Sequence, residues 1–388
     1  MKQHQRWFLP IIVFILSALL LNACSFSVEV LTTPTAVPPT FTPIAPTAAQ
    51  TEVPTILPAD VSATPTLISI REDTLSMLEI FMSVDGGELP RTLAFTPDGK
   101  VLAVAGGNSE DFLIRLWDVA TGQSLGTLNG HTGIVWGIAF SPDGQMLASV
   151  SSDKTAKVWD WRTGTVMKSL DFPGEAVSVS FSPDGRTLAV GGVDEAQNQI
   201  QNAAIWTFSV ASWQRQFKLS EYLDIPAIAY SPDGRWLVGG GTSRNVQIWR
   251  TSDGTSVFTL NHAHQVSDIA ISPDGSTIAT ATCQTATNEE CTDGGIWLWN
   301  LITGRLMMKL KGFHNAVENV AFTADGSSLI ATSRDGTLRV YATSDYLPRF
   351  EAMPPGGITG MTISSDSGLL ATGSGNGQVH IWKIVYRP

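Results

Sequence analysis

The chain has 388 residues, 35 of them glycine, and a formal net charge of −11 at pH 7. This length fits two or three ordinary domains, or one closed β-sheet architecture of unusual size, and the sequence shows no long helical pattern. The negative charge argues against a nucleic-acid partner, because phosphate backbones attract basic surfaces. We therefore expect an all-β protein whose partners are not nucleic acids.

Residues 1–24 have the organisation of a targeting segment. A short basic start precedes an apolar run, Trp7 to Leu21, that is too short for a comfortable membrane span. The run ends in Leu21-Asn22-Ala23-Cys24, which resembles a bacterial lipoprotein box, although Asn22 departs from the small or apolar residue usual there. The resemblance implies that Cys24 is lipidated and holds the protein on the outer face of a bacterial membrane. An ordinary secretory signal with a chance cysteine, or an uncleaved anchor, is the alternative.

Residues 25–71 differ in composition from the rest of the chain. They are rich in threonine and proline, as in TTPTAVPPTFTPIAPT, and carry almost no charge. Such a segment cannot bury an apolar core and favours an extended, partly polyproline-like backbone. We expect a spacer that lifts the following domain off the membrane. A proline-rich ligand or a glycosylated stalk is the alternative.

One four-residue turn recurs from residue 96 onwards. In the clearest copy, Ser141-Pro142-Asp143-Gly144, proline presets φ, the Asp side chain can bond the backbone, and glycine supplies a positive φ. Apolar strands flank this turn on both sides. The copies are marked by the turn residues Asp98, Asp143, Asp184, Asp233, Asp274, Asp325 and Asp366. Seven strand-and-turn repeats at this spacing predict a β-propeller.

Each repeat also carries a strand that ends in an aromatic residue. These residues are Trp117, Trp159, Trp206, Trp249, Trp299, Tyr341 and Trp382. Strands such as IRLWD, AKVWD and VHIWK resemble the closing strands of the WD-repeat family, and the resemblance runs from about Leu75 to the C-terminus. It implies one seven-bladed propeller over residues 72–388, built from four-stranded antiparallel blades.

The first and last repeats are incomplete in a complementary way. An apolar segment, Leu75 to Met82, precedes the first turn, and the sequence ends soon after the third strand of the last repeat. We expect the N-terminal segment to supply the fourth strand of blade seven, because an unpaired sheet edge is a template for aggregation. The alternative is that this segment only extends the spacer.

Three residues of the second repeat, His131, Ser149 and Asp153, have the composition of a hydrolase triad. Ser149, however, falls inside a predicted strand and lacks the sharp turn that presents a nucleophile. The WD-repeat resemblance implies a structural hydrogen-bond chain instead, from Asp153 through His131 and Ser149 to Trp159. It implies a second complete set in blade five: His262, Thr280, Asp293 and Trp299.

The distance from turn to closing aromatic locates three insertions. It is 16 residues in four blades but 19, 22 and 25 in blades one, three and five. The extra residues fall around Gly107–Asp111, Val193–Gln201 and Cys283–Cys291. Once Cys24 carries a lipid, Cys283 and Cys291 are the remaining pair, and an even pair in an exported protein predicts a disulfide.

In the WD-repeat family the inserted loops lie on the rim that is commonly used to grip partners. The resemblance therefore implies a non-enzymatic protein-interaction scaffold that binds an unidentified protein at this rim and at the mouth of the central channel. The candidate contact residues there are Arg91, Trp136 and Glu318. We expect a monomeric propeller without a cofactor.

The alternative function is an enzyme or a small-ligand or metal binder at the channel mouth, as in other propellers. His262, His264 and His314 could converge on zinc or copper. Because the structural network already uses His262, the sequence predicts no metal site.

Overall fold

The computed structural model describes residues 76–386, apart from 108–109, 195–201, 223–226, 242, 288–289 and 367. The predicted targeting segment (1–24), Cys24 and the spacer (25–71) lie outside the described residues. In the part of the chain that is described, no helix is long and apolar enough to cross a membrane.

Within the described residues, 28 strands form seven antiparallel sheets of four strands each, which are numbered here as blades one to seven. The first strand, β1 (Ser76–Asp85), belongs to blade seven. Blade one comprises β2 (Pro90–Phe95), β3 (Val101–Gly106), β4 (Ile114–Asp118) and β5 (Ser124–Leu128). Blade two comprises β6 (Val135–Phe140), β7 (Met146–Ser151), β8 (Thr155–Asp160) and β9 (Thr165–Asp171). Blade three comprises β10 (Ala176–Phe181), β11 (Thr187–Asp194), β12 (Asn202–Ser209) and β13 (Arg215–Tyr222).

The remaining blades follow in chain order. Blade four comprises β14 (Ala227–Tyr230), β15 (Trp236–Gly240), β16 (Asn245–Arg250) and β17 (Ser256–Asn261), and blade five comprises β18 (Val266–Ile271), β19 (Thr277–Thr287), β20 (Glu290–Asn300) and β21 (Leu306–Phe313). Blade six comprises β22 (Val317–Phe322), β23 (Ser328–Ser333), β24 (Leu338–Ala342) and β25 (Pro348–Ala352). Blade seven comprises β26 (Gly360–Ile363), β27 (Leu369–Gly373) and β28 (Gln378–Tyr386), together with β1. The first strands of neighbouring blades contact each other around the ring, so they line the central channel.

The ring is closed by strands from both ends of the domain. β1 pairs antiparallel with β28, from Ser76 opposite Tyr386 to Asp85 opposite Gln378. Leu78 and Trp382 are buried in one apolar cluster, so the pairing also completes a core. The predicted N-terminal closing strand is confirmed, and it extends to Asp85 rather than ending at Met82.

The repeated turn has the same hydrogen bonds in every blade. In blade two, Ser141 Oγ donates to Asp143 Oδ1 at 2.6 Å, and Met146 N donates back to Ser141 Oγ at 2.9 Å. Gly144 has a φ of 68°, a left-handed conformation that favours glycine. The diverged turn of blade seven still pairs Ser364 Oγ with Asp366 Oδ1 at 2.6 Å. The Ser and Asp positions therefore define the turn more firmly than the proline does.

The apolar cores lie between neighbouring blades. Val150 and Val158 of blade two pack in one cluster with Leu188 and Phe208 of blade three. Each blade thus buries one face of its sheet against the next blade, as two stacked sheets do in a sandwich. Surfaces between blades are consequently as important for stability as the strand pairing within them.

The closing aromatic residue of blade three differs from the prediction. Trp159 pairs with Leu147, four residues after the turn Asp143, and the equivalent pair in blade three is Phe208 with Leu188. The predicted residue, Trp206, pairs with Val190 instead. Residues two apart in a strand face the same side, so a shift of two preserves the apolar pattern and misled the sequence alignment.

Candidate functional site

Blade two holds a buried chain of four polar side chains on the face opposite the repeated turns. Asp153 Oδ2 lies 2.7 Å from His131 Nδ1, and His131 Nε2 lies 2.7 Å from Ser149 Oγ. Trp159 Nε1 donates to Ser149 Oγ at 2.8 Å. The structure brings these four residues together in the order that the family resemblance implies.

Asp153 is the charged member of this chain. Its Oδ1 accepts from Thr155 Oγ1 at 2.6 Å and its Oδ2 accepts from Thr132 N at 3.0 Å. Burial by itself raises the pKa of Asp153, but the hydrogen bonds from His131, Thr155 and the Thr132 backbone outweigh burial and hold that pKa well below its usual range. The carboxylate stays ionised and fixes the orientation of the His131 ring.

Burial also decides between the structural and the catalytic interpretation. The Ser149 side chain has no exposed surface, and His131 is only 5% exposed. A substrate therefore has no route to the serine oxygen. These residues hold the loop before β6 to the turn after β7, and the network positions loops rather than performing chemistry.

The corresponding residues of blade five make different hydrogen bonds. The prediction that Asp293 and Trp299 belong to a hydrogen-bond chain with His262 and Thr280 is therefore wrong. His262 Nε2 lies 2.8 Å from Thr280 Oγ1, but His262 Nδ1 faces the backbone oxygen of Leu260 at 3.2 Å. Among the described residues, Trp299 Nε1 has no hydrogen-bond partner. Trp297 stacks on the His262 ring with centroids 4.9 Å apart. Aromatic packing replaces half of the expected hydrogen-bond chain.

The inserted residues of blade five explain why its hydrogen bonds differ from those of blade two. β19 and β20 are 11 residues long, so the hairpin continues beyond the level at which blade two makes its turn. Asp293 consequently lies inside β20, paired with Thr285, whereas Asp153 lies in the turn between β7 and β8. A carboxylate held in a strand pairing cannot fold back onto the histidine as one in a tight turn does.

The two cysteines of the blade-five hairpin lie on opposite strands. Cys283 belongs to β19 and Cys291 to β20, their Cα atoms are 5.7 Å apart, and the structure joins their sulfur atoms. Gln284 Nε2 donates to Leu310 O at 2.9 Å and ties the base of the hairpin to the outer strand. The hairpin therefore projects as a braced element.

The three predicted partner-binding residues occupy equivalent backbone positions. Arg91, Trp136 and Glu318 each fall where the register shifts between the first and second strand of their blade. Such a bulge leaves one residue unpaired and re-aims its side chain, and bulges are frequent beside functional sites. Because first strands line the channel, the three bulges place these side chains at its mouth.

Their contacts differ from one another. The Arg91 guanidinium lies 5.6 Å from the centre of the Trp136 ring, a cation–π arrangement. Glu318 instead pairs with Arg334, with Oε1 2.7 Å from the guanidinium nitrogen. Arg91 Nε and Trp136 Nε1 are both buried and have no hydrogen-bond partner among the described residues. Burial lowers the pKa of Arg91, and the charge of Glu318 partly opposes that effect.

Asp268 is a channel residue that the sequence analysis missed. Its Oδ2 accepts from Val320 N in the next blade at 2.9 Å, and its Oδ1 accepts from Ile269 N at 2.8 Å. Burial raises its pKa to about 7, although both hydrogen bonds act in the opposite direction. Thr92 Oγ1 accepts in the same way from Ile138 N in the next blade at 3.2 Å. The equivalent positions of blades two, three and six hold Gly137, Ser178 and Asn319, so an alignment of the repeats would have revealed an isolated acid there.

The remaining histidines do not form a metal centre. The His314 backbone N donates to Asp335 Oδ2 at 2.8 Å, and His262 is held in the blade-five cluster. Within the residues that the structure describes, no group of three or more His, Cys, Asp or Glu side chains could hold a metal ion.

Comparison with known proteins identifies the family. The family model described as "WD domain, G-beta repeat" matches seven segments: 86–118, 122–160, 164–195, 214–250, 254–300, 304–342 and 350–383. The chain belongs to the WD-repeat family. From the second segment to the last, each matched segment starts at the outer strand of one blade and continues into the next blade, and all but 164–195, which ends after β11, reach the third strand of that blade, so the repeats overlap successive blades and link them.

Three relatives illustrate the breadth of this WD-repeat similarity. The chain is 31% identical over 179 residues to the periodic tryptophan protein 2 homolog of Schizosaccharomyces pombe, covering 42% of this chain and 21% of that protein. It is 23% identical over 326 residues to human apoptotic protease-activating factor 1, covering 75% and 25%. It is 27% identical over 255 residues to the serine-threonine kinase receptor-associated protein of Gallus gallus, covering 58% and 71%. The chain thus spans a quarter or less of the first two proteins, and all three are eukaryotic.

Proposed function

We propose that this WD-repeat propeller is a non-enzymatic protein-interaction scaffold that a lipid on Cys24 holds on the outer face of a bacterial membrane. Residues 1–24 would direct export, and residues 25–71 would separate the propeller from the bilayer. The partner would bind at the channel mouth and at the inserted loops around it.

One observation carries the binding part of this proposal. Arg91 Nε and Trp136 Nε1 are neighbouring buried donors that lack acceptors among the described residues. Unpaired buried donors are rare in folded proteins because each costs about 1–3 kcal/mol. A partner that inserts a carboxylate or a carbonyl group into the channel mouth would satisfy both donors and neutralise the arginine.

The inserted hairpin of blade five supports the same face. The blade-five hairpin projects on the side of His131 and Asp153, away from the repeated turns, and its two cysteines lie across from each other. A disulfide there would pre-organise the hairpin and lower the entropy lost on binding. It would also be consistent with an oxidising compartment outside the cytoplasm.

Paired variants test the binding face. We expect Arg91→Ala with Trp136→Ala to abolish capture of partners in crosslinking from intact membranes. The matched control is Arg162→Ala with Trp161→Ala, which removes a second arginine–tryptophan pair, 4.2 Å from guanidinium to ring centre, near the repeated turns. Equal capture by both double variants would contradict the proposed face.

The lipid anchor is tested separately. We expect wild-type protein expressed in a bacterium to fractionate with membranes and to carry a diacylglyceryl mass increment on Cys24, whereas Cys24→Ser should lack that increment and keep the signal segment. Cys283→Ser, which leaves Cys24 intact, should still carry the increment. A wild-type protein without the increment on Cys24 would disprove the lipid anchor without touching the binding face.

A further inference from the structure

A groove opens between blades three and four, on the side of the repeated turns and opposite the loops discussed above. It has a volume of about 650 Å³. Its apolar wall is formed by Phe217, Leu219, Tyr230, Leu237 and Trp249. The turns that contain Asp184 and Asp233 form its rim.

Two small residues explain why the groove is open at this blade. Thr251, in the turn after β16, corresponds to apolar residues in four other blades: Val119, Trp161, Val210 and Leu301. Trp161 packs edge-on against Phe140 and fills the equivalent space in blade two. Thr251 leaves that space empty, while its Oγ1 donates to Gly234 O at 2.7 Å, as Trp161 Nε1 donates to Gly144 O at 3.0 Å.

The second small residue is Gly254. Blade six also has a threonine, Thr343, but the position of Gly254 is occupied there by Tyr346, and the smaller groove of about 280 Å³ is lined by that ring. Blade three has Trp213 at this position beside Val210. Blade one has Val119, which is about the size of Thr251, and Gly122 at these two positions, but there the Met82 side chain lies against Gly122. Among the six blades described at both positions, blade four is the one that combines a threonine with a glycine.

Tyr230 gives the groove a polar group. The equivalent residues in the other blades are phenylalanine or isoleucine: Phe95, Phe140, Phe181, Ile271, Phe322 and Ile363. The Tyr230 hydroxyl is buried and has no hydrogen-bond partner in the described part of the chain. Burial raises the pKa of Tyr230, and the charge of Asp184 adds to that effect, so the hydroxyl keeps its proton and remains a donor. A buried hydroxyl without an acceptor lowers the stability of the free protein, so its presence here indicates that a ligand supplies the acceptor.

The rim carries two carboxylates, those of Asp184 and Asp233. The pKa of Asp184 is lowered, mainly by the hydrogen bond from Ser182, so this carboxylate is ionised at neutral pH. Burial acts to raise the pKa of Asp233, but the hydrogen bonds from the Ser231 side chain and the Arg235 backbone lower it overall. Three arginines lie nearby: Arg250 pairs with Asp253 at 2.8 Å, Arg235 Nε lies 3.5 Å from Asp233 Oδ2 in an exposed ion pair that a basic ligand would have to displace, and the charge of Arg186 acts on Asp184. An apolar wall between two carboxylates complements a ligand that is both apolar and basic.

We propose that this groove binds an extended segment of a protein partner in which an aliphatic side chain adjoins lysine or arginine. The aliphatic side chain would pack on Phe217, Leu219 and Trp249, and the basic side chain would reach Asp184 and Asp233. A backbone carbonyl of the segment would accept from the Tyr230 hydroxyl as the aromatic wall adjusts. The site lies on a different surface from the channel mouth and does not depend on it.

Three fluorescein-labelled dodecapeptides test this site by fluorescence polarisation with the full chain in detergent. The first alternates leucine with lysine, the second replaces lysine with glutamate, and the third replaces leucine with serine. We expect the leucine–lysine peptide to bind at least tenfold more tightly than either of the others. Equal affinity for all three, or preference for the glutamate peptide, would overturn the proposal.

Substitutions that introduce the residues of other blades at position 251 test whether the peptide binds in this groove. Thr251→Trp, which introduces the residue of blade two, should fill the groove and weaken binding of the leucine–lysine peptide at least tenfold. Thr251→Leu, which introduces the residue of blade five, is the second filling variant if the first does not fold. Unchanged binding in the filled protein would disprove the site.

The role of the Tyr230 hydroxyl is tested by measuring peptide affinity and thermal stability together. Tyr230→Phe should weaken peptide binding about threefold to tenfold and at the same time raise the melting temperature of the free protein, because an unpaired buried group is removed. Tyr346→Phe, the matched change in the blade-six groove, should leave peptide affinity unchanged. Loss of affinity in both variants, or in neither, would exclude a ligand bond to Tyr230.

Discussion

Blades two and five both contain a histidine, a hydroxyl residue, an aspartate and a tryptophan in the same order, yet their hydrogen bonds differ. In blade two the aspartate lies in a tight turn and holds the histidine at 2.7 Å. In blade five the strands continue past that level, the aspartate joins the sheet, and a backbone oxygen takes its place beside the histidine. The difference teaches that the network depends on where the turn falls, not on residue identity alone.

The two blades also differ in what replaces the missing bonds. His262 packs against both Trp297 and Trp299, with ring centroids 4.9 and 5.1 Å away, and the two tryptophan rings also contact each other at 5.8 Å. Lys309 lies 3.3 Å from the centre of the Trp297 ring. Stacked aromatic rings need no exact donor and acceptor alignment. This packing tolerates a long hairpin above it, whereas the blade-two network requires a short turn.

The sharpest test of this comparison removes each aspartate. Asp153→Ala should lower the free energy of unfolding by about 3–4 kcal/mol, because it strips a buried charged acceptor from His131 and Thr155. Asp293→Ala should cost less than about 0.5 kcal/mol, as is usual for a residue outside such a network. Urea unfolding at pH 7 measures both, and equal losses would show that the two blades share one network after all.

Acid should remove one contribution of blade five, that of the neutral His262 ring. Burial lowers the pKa of His262 to about 4, against an ordinary value near 6.5. The unfolded chain therefore binds the proton first, so this residue's contribution to stability is complete above about pH 6.5 and is lost as the pH falls towards 4, by about 2–3 kcal/mol in total.

A variant isolates that titration. His262→Gln should remove this contribution, so in urea unfolding the stability of the wild-type protein relative to the variant should fall as the pH drops from 6.5 to 4. Asp268, whose pKa burial raises to about 7, gains stability over the same range, but it does so in both proteins and cancels in the comparison. Asp153 has a depressed pKa, so its own contribution is lost only at more acidic pH, below about 4, and should persist in the variant. An unchanged slope between pH 4 and 6.5 would assign it to another group.

The smallest expected difference concerns the two closing tryptophans. Trp159 Nε1 donates to Ser149, whereas Trp299 Nε1 has no partner among the described residues. Replacement by phenylalanine removes similar volume at both sites, but only Trp159→Phe also breaks a hydrogen bond. We expect it to be about 1 kcal/mol more destabilising than Trp299→Phe. Thermal unfolding of the two variants side by side gives the comparison, and the reverse order would refute it.

Several structural features followed directly from local sequence. The repeated turn is specified by a hydrogen bond between two side chains that are only two residues apart, as between Ser141 and Asp143. Because both residues lie within the turn itself, the turn could be recognised in all seven repeats. The closing strand could be predicted because every other repeat supplies a fourth strand, and without one the third strand of blade seven would be left as its exposed edge. The blade-two network was predictable because its turn has the spacing usual in the family.

Other features could not be reached in this way. Trp206 and Phe208 face the same side of β12, so only the pairing of Phe208 with Leu188 shows which residue closes blade three. The groove beside Tyr230 depends on Thr251 and Gly254 meeting the outer strand of a different blade. No pattern within one repeat contains that contact.

The sequence by itself determined the number of blades, their turns and the closure of the ring, because each of these rests on residues close together in the chain or on the general need to pair a sheet edge. Only the tertiary structure decided how blade five holds His262, where the bulges aim Arg91 and Trp136, and which space between blades stays open. Those outcomes depend on strand register and on side chains from neighbouring sheets, which meet only after the ring has closed.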